Sequence, residues 1–364
     1  AGAGAAAAVA PVLSHPLFAS PEPRRFDAPQ PGTPILLNSN ENAYGPFPSV
    51  LAMSNPLSLA NRYPFGQEEA LVEKIARLHH LGRDQVLLGC GSSEIIKVAM
   101  SAFTGPLRRL VTAAPTYELA EIIADRATHT PVAKLPLTHD CAHDLRAMLP
   151  AAKDAGLVYI CNPNNPTGSL TPRSAIESFL VKAPKDTMIL IDEAYHDFVP
   201  ASADYKSFLD APVNDERVIV ARTFSKIHGM AGLRIGYGVA APQVISKMRR
   251  QGQTDSINIV ALGCASLSLD DSAAHAQAAK RNTDDRDQFM REATARKLSP
   301  IPSYTNFVMM DIGRPVRPVI EHFQQNGILL GRPFPPYDTH LRVSLGKPDE
   351  MIEFWRVWDG IGRR

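Results

Sequence analysis

Lys226 lies in Thr223-Phe224-Ser225-Lys226-Ile227-His228-Gly229-Met230-Ala231-Gly232-Leu233-Arg234, just after the apolar run Val218-Ile219-Val220. A lone lysine on such a loop is by default a solvated charge. Here the hydroxyls of Thr223 and Ser225 and the guanidinium of Arg234 share the segment, and that combination can bind a phosphate. A lysine held beside a phosphate-bearing cofactor can form a Schiff base with it. A second element, Ile189-Leu190-Ile191-Asp192-Glu193-Ala194-Tyr195, puts an acid at the end of an apolar strand, the edge where open α/β sheets bind ligands. A carboxylate buried there needs a cation. A protonated pyridine nitrogen would serve; a helix cap or a magnesium ligand are the plainer readings. No G-x-x-x-x-G-K-[ST] loop occurs in the chain, which removes the nucleotide reading.

Two further loops follow strand-like runs. Cys161-Asn162-Pro163-Asn164-Asn165-Pro166-Thr167-Gly168 is alone only a turn-rich loop, with Asn side chains that could donate to a ligand oxygen. Gly89-Cys90-Gly91-Ser92-Ser93-Glu94 has small residues that let backbone N–H groups approach a phosphate at a helix N-terminus. Glu94 occupies the third glycine position of G-x-G-x-x-G, so the dinucleotide reading is weak. His139-Asp140-Cys141-Ala142-His143-Asp144 alternates His, Cys and His, as a zinc site could. A polar loop with Asp144 capping the next helix is the preferred reading, and no metal is expected. His228 is read as a packed histidine, with a substrate contact as the sharper alternative.

The elements that position these residues alternate. Strand-like runs at 85–89, 110–112, 157–160, 188–191 and 218–220 suit a mainly parallel sheet buried on both faces. Helical spacing appears at 93–103, 117–126 and 172–181. After about residue 265 a polar helix at 272–298 precedes strands at 306–312, 328–330 and 341–345 and helices at 316–325 and 349–358. The pattern is α/β. The expected organisation is an Ala/Pro-rich segment 1–34, a segment 35–61 packed on the smaller domain, a large domain 62–265 and a small α+β domain 266–364. Residues 1–20 are read either as the remnant of an export signal, ending Ala8-Val9-Ala10, or as an Ala-rich linker.

Lys and Arg number 38 and Asp and Glu 37, a net charge of +1. This argues against a nucleic-acid or polyanion binder. No apolar run reaches the roughly 18 residues of a membrane span. Cys90, Cys141, Cys161 and Cys264 have neither zinc spacing nor the density of a disulfide scaffold and read as buried free thiols.

Taken in order, the four elements resemble those of fold-type I pyridoxal-phosphate enzymes, specifically class I/II aminotransferases, and most of all the histidinol-phosphate aminotransferase branch. The resemblance spans roughly 35–360. Leu37-Asn38-Ser39-Asn40-Glu41-Asn42-Ala43-Tyr44-Gly45-Pro46 is similar to that branch's N-E-N-x-Y-G-P opening, Asn61-Arg62-Tyr63-Pro64 to its R-Y-P, and Leu341-Arg342-Val343-Ser344-Leu345-Gly346 to its L-R-[IV]-[ST]-[IVL]-G.

The resemblance implies a cofactor, pyridoxal 5'-phosphate, bound in the large domain. It implies Lys226 as the Schiff-base lysine and proton shuttle, with Asp192 paired to the pyridinium nitrogen. Tyr195 and Asn165 would hydrogen-bond the ring oxygen, and Tyr117 would stack on the ring, helix-start contacts being its blander role. Ser92, Ser93, Thr223, Ser225 and Arg234 would cup the phosphate. Tyr63 would reach the phosphate of a neighbouring subunit, which implies a homodimer with shared active sites. Arg342 would grip the substrate carboxylate, and Asn165, Tyr44 and Arg332 would contact substrate. The implied reaction moves an amino group between an amino acid or amino-alcohol phosphate and a 2-oxo acid. An aromatic or other amino-acid aminotransferase, or a decarboxylase or lyase on the same scaffold, are the alternatives. In that branch an arginine directly follows a G-[IV]-[IL]-V strand. Here Gly331 intervenes before Arg332, and a one-residue shift turns a strand side chain to the other face. A cytoplasmic location is expected, or a periplasmic one if the Ala-rich start is an export signal.

Overall fold

A computed structural model describes residues 33–200, 204–253 and 255–361. The export-signal and linker readings of residues 1–20 lie outside the described residues. From Ile35 on, the described residues form one compact unit.

Among the described residues twelve strands follow in order: β1 (Ile35–Leu37), β2 (Val86–Gly89), β3 (Arg109–Ala114), β4 (Val132–Pro136), β5 (Ala155–Cys161), β6 (Met188–Asp192), β7 (Val218–Thr223), β8 (Gly236–Val239), β9 (Ser299–Pro300), β10 (Phe307–Asp311), β11 (Ile328–Leu330) and β12 (His340–Ser344). Seven make one sheet in the order β2-β8-β7-β6-β5-β3-β4. β7, β6, β5, β3 and β4 pair in parallel; β8 runs antiparallel to both of its neighbours. Every residue of β5 and β7 is buried. Such strands read as unbroken apolar runs because helices cover both faces.

This topology builds an active edge. β2 runs in the same direction as β7, so the carboxyl ends of β2, β3, β5, β6 and β7 share one side of the sheet. The chain leaves them at Gly89, Ala114, Cys161, Asp192 and Thr223, immediately before the loops singled out above. Ligands bind open α/β sheets at this edge. β8 was absent from the sequence reading because its two glycines carry little strand signal. One has a structural use. A Cβ on Gly238 would stand 2.7 Å from Ile95 Cγ2, so glycine lets the helix Ser92–Phe103 lie close against the sheet and aim its N-terminus at the edge. The helix expected over 117–126 is shorter, Leu119–Ile123, and widens into a π-type turn over Ala124–Thr128.

The C-terminal region holds the antiparallel sheet β12-β10-β9 and the parallel pair β1-β11. Its core includes Leu37, Val308, Phe323 and Phe354, with the last two rings stacked at 4.8 Å. β1 therefore joins this region, pairing Ile35 with Ile328, whereas Phe47 and Val50 enter the main core. The expected boundary at residue 265 falls inside the helix Ile259–Asp270, whose Ala261, Leu262 and Ala265 belong to the main core.

Candidate active site

Above the carboxyl edge lies a cavity of about 710 Å³, the size of a small-molecule site. Lys226, Asp192 and Tyr195 all line it. The Lys226 ammonium donates to the Asn40 carbonyl at 3.1 Å and lies 5.4 Å from the Tyr195 ring centre. Burial, helped by the nearby Arg342 charge, pushes its pKa down to about 8. Asp192 is buried at the end of β6. Its Oδ2 accepts from the Tyr159 hydroxyl at 2.8 Å and its Oδ1 from the Ala194 N–H at 3.1 Å. Burial still raises it to about 6, the Tyr159 bond opposing. A buried acid held in this way has lone pairs left for a cation and gains by meeting one.

An anion cradle lies alongside. Ser92 and Ser93 line the cavity and open the helix Ser92–Phe103, which no side chain caps, so its first N–H groups have no side-chain partner. Thr223 donates to Ser225 Oγ at 2.9 Å, and Arg234 Nη1 donates to the same oxygen at 3.3 Å. Arg234 Nη2 donates to the Cys90 carbonyl at 3.3 Å. Gly91 has φ +77°, and a Cβ there would stand 2.4 Å from Arg234 Nη2. The glycine satisfies a left-handed turn and leaves room for the guanidinium. Helix N-terminus, hydroxyls and arginine together fit a phosphate.

Arg342 enters from β12. It is buried, which pushes its pKa down to about 10. Nη1 donates to Asn165 Oδ1 at 2.7 Å and Nη2 to the Asn38 carbonyl at 2.9 Å, while its buried Nε has no partner. An unmatched buried donor costs about 1–3 kcal/mol, which an incoming carboxylate would recover. Tyr117 is half-buried and lines the cavity. Arg332 lines it too. β11 ends at Leu330, so strand alternation does not reach Arg332 and the extra glycine does not turn it away.

Two predicted residues lie elsewhere. Tyr44 is corrected: its hydroxyl donates to Asp285 at 3.0 Å, its ring stacks under Arg281, and it lines a separate cavity. Tyr63 is 75% exposed and stacks on Phe65, outside this chain's own cavity. His228 is packed: its Nδ1 lies 2.7 Å from Ser268 Oγ, beside Phe47 and Phe224. The His139-to-His143 stretch is a capped loop. Asp144 accepts from the Ala147 N–H, His143 bonds Thr171, and Cys141 lies near the Tyr337 hydroxyl.

The comparisons bear on this geometry. A model of the family described as aminotransferase class I and II matches residues 33–355. The chain belongs to that family. A histidinol-phosphate aminotransferase of Moorella thermoacetica is 34% identical over 331 residues, covering 89% of this chain and 84% of its own. One from Methylobacillus flagellatus is 34% identical over 335 residues, covering 91% and 90%. A solved histidinol-phosphate aminotransferase from Sinorhizobium meliloti, in complex with pyridoxal-5'-phosphate, has a TM-score of 0.84 at 24% identity, covering 93% of this chain and 96% of its own. The fold is that of the type I pyridoxal-phosphate transferases, and the chain is an aminotransferase of this cofactor class.

For this aminotransferase, sequence reasoning missed Tyr159, Asn40 and Glu118. Tyr159 was legible as the one polar side chain within an apolar strand. Asn40, at φ +55°, links four parts of the site. Its Nδ2 donates to the Tyr195 hydroxyl at 3.1 Å, its N–H donates to Ser344 Oγ, and its carbonyl accepts from Lys226 and Asn306. Glu118 follows Tyr117 directly and pairs with Arg332; only the folded loop brings them together. Among the described residues no helix is long and apolar enough to cross a membrane.

Proposed function

We propose that this chain is a pyridoxal-phosphate-dependent aminotransferase of the histidinol-phosphate type, moving an amino group between an amino acid or amino-alcohol phosphate and a 2-oxo acid. The observation that carries this is the meeting in one cavity of Lys226, Asp192, the Arg234 cradle and Arg342. The residues fit the cofactor: the cradle matches a phosphate, the buried Asp192 gains from a ring cation, and Lys226 is an amine softened by burial. When bound, pyridoxal phosphate supplies an electron sink for negative charge at the substrate Cα.

The protein's residues do the rest. Asp192 would accept a hydrogen bond from the ring nitrogen and favour its protonated form. Tyr195 and Asn165, which line the cavity, would hydrogen-bond the ring oxygen, and Tyr117 would cover the ring face. Ser92, Ser93, Thr223, Ser225 and Arg234 hold the phosphate. Lys226 would hold the cofactor through its Nζ, and the same amine, within the cavity, would take up the proton from the substrate Cα. Arg342 orients the substrate carboxylate. An absorbance band at about 420 nm on addition of the cofactor, bleached by an amino donor, tests the reading. Protein that binds no cofactor overturns it.

The chain acts as a homodimer in this reading. Leu51, Leu57, Leu59, Tyr63 and Phe65 are exposed within one short stretch, and clustered apolar exposure marks a contact surface. Tyr63, there, would serve the neighbouring phosphate. The reaction is placed in the cytoplasm; four cysteines, all unpaired, support a reducing compartment. The aromatic-donor alternative gains support from one contact, the Glu118–Arg332 pair.

A further inference from the structure

β6 and β7 pair in parallel as far as Asp192 and Ala221, and a last ladder bond runs from the Glu193 N–H to the Ala221 carbonyl at 2.9 Å. Beyond it β7 continues through Arg222 and Thr223 with β8 as its strand partner. Asp192 and Thr223 line the cavity, whereas their neighbours Glu193 and Arg222 meet away from it. Both are buried, at 1% and 7% exposure. Arg222 Nε donates to Glu193 Oε2 at 2.9 Å, and Arg222 Nη2 donates to Ser207 Oγ at 2.6 Å. Ser207 donates in turn to Glu193 Oε2 at 2.7 Å, and the Phe208 N–H donates to Oε1 at 2.8 Å. Burial pushes the Glu193 carboxyl up, but the Arg222 charge more than offsets it, and the group stays below its ordinary range. A second carboxylate, Asp210, stands 3.9 Å from Arg222 Nη2.

A buried ion pair is a poor device for stability, since apolar residues of similar volume often do as well. A fully bonded one holds a single geometry. The geometry held here is the spacing between two strand ends. One carries Asp192, the partner for a ring nitrogen. The other carries Thr223 and leads into Ser225 of the phosphate cradle. We propose that Glu193 and Arg222 are positioning residues that clamp β6 to β7 past the end of their ladder, and so fix the distance between Asp192 and the phosphate cradle. The proposal rests on the pyridoxal-phosphate reading and adds residues that stand behind the cavity wall. Pyridoxal phosphate has a stiff ring with its phosphate on a short arm, so the protein must present both contact points at one separation. A ligand that bridges two contact points gains from their correct spacing; a ligand that touches only one does not.

Three probes separate spacing from general damage. Pyridoxal phosphate bridges both ends, pyridoxal lacks the phosphate, and inorganic phosphate lacks the ring. Their dissociation constants are measured on the full chain stripped of cofactor, by absorbance titration and, for inorganic phosphate, by competition. Glu193→Gln/Arg222→Met removes both charges together, so that neither is left buried alone. In this variant pyridoxal phosphate is expected to bind about tenfold more weakly. Pyridoxal and inorganic phosphate should each stay within about twofold of wild type, and Tm within a few degrees. An unchanged affinity for pyridoxal phosphate overturns the proposal. So does a loss that either partial probe shares in full, because that marks a damaged half-site or a loosened fold. Arg222→Lys keeps the charge and one of the two donors, and is expected to weaken pyridoxal phosphate about threefold. Should the double variant not fold, wild-type affinity in Arg222→Lys overturns the proposal by itself. A wild type that binds no pyridoxal phosphate sinks the aminotransferase reading, and the clamp with it; failure of the clamp alone shows only in the variants.

Discussion

Lys226 and Asp192 are both charged groups held out of water, and burial moves their pKa values toward each other. Lys226 falls to about 8 and Asp192 rises to about 6. Desolvation penalises the charged form of each. In the cofactor-free protein the lysine therefore becomes neutral as pH rises through about 8, and only the neutral amine attacks an aldehyde. The rate of cofactor attachment is expected to climb between pH 7 and 9, as stopped-flow absorbance would show; a flat profile contradicts the assignment of Lys226. Lys226→Ala is expected to lower turnover by at least about 1,000-fold and to abolish the 420 nm band. Tyr159→Phe removes the hydroxyl that donates to Asp192 and should reduce kcat/KM by about tenfold, one lost charged hydrogen bond. Unchanged kinetics would show that Tyr159 is only a space-filling residue.

Among the elements, the helix Ser92–Phe103 and the left-handed Gly91 before it decide where a phosphate can sit. Gly91→Ala forces an L side chain into φ +77° and against Arg234 Nη2. The backbone cost is about 1 kcal/mol. Because the atom met is the end of a flexible side chain, the larger effect is to push Arg234 out of the cradle. Cofactor affinity is expected to fall about tenfold while Tm drops only a few degrees; equal losses in both would refute a binding role. The elements bearing the site were legible where buried apolar runs ended in polar loops, at β5, β6 and β7. They were not legible where glycine or edge exposure erased the pattern, at β8 and β4. Local motifs pointed to Lys226, Asp192 and Arg342, and the fold brings all three to one cavity. Tyr44 misled because its motif says which segment is used, not which cavity each side chain enters. Glu118 and Asn40 act through partners more than 150 residues away, and no local pattern encodes such a meeting.

For the molecule as a whole, two buried histidines set an acid limit. His143 and His228 have pKa values lowered to about 4 by burial. In the unfolded chain both protonate near pH 6.5; in the folded protein they resist until about 4. Their contribution to stability is complete above pH 6.5 and is lost as pH falls toward 4. His275 opposes this, since Asp197 raises its pKa. The net expectation is a fall in Tm of about 5 °C or more from pH 7.5 to 5, followed by calorimetry, with a shallower slope in His143→Asn. A Tm that stayed level would show that these rings are already hydrated. The exposed apolar side chains of 51–65 form the proposed contact with a second chain, and on that proposal Leu57→Asp is expected to shift the protein toward monomer in light scattering. The antiparallel β7–β8 pair has a longer reach. Thr223 stands opposite Gly236, so the excursion carrying Ser225, Lys226 and Arg234 starts and finishes at one point, like a bead loop knotted at its neck. The Lys226 amine and the clasp beside it are thus tethered at a single anchor. The far wall around Glu118 and Arg332 is carried by other segments, after β3 and β11, so a change there leaves this anchor untouched.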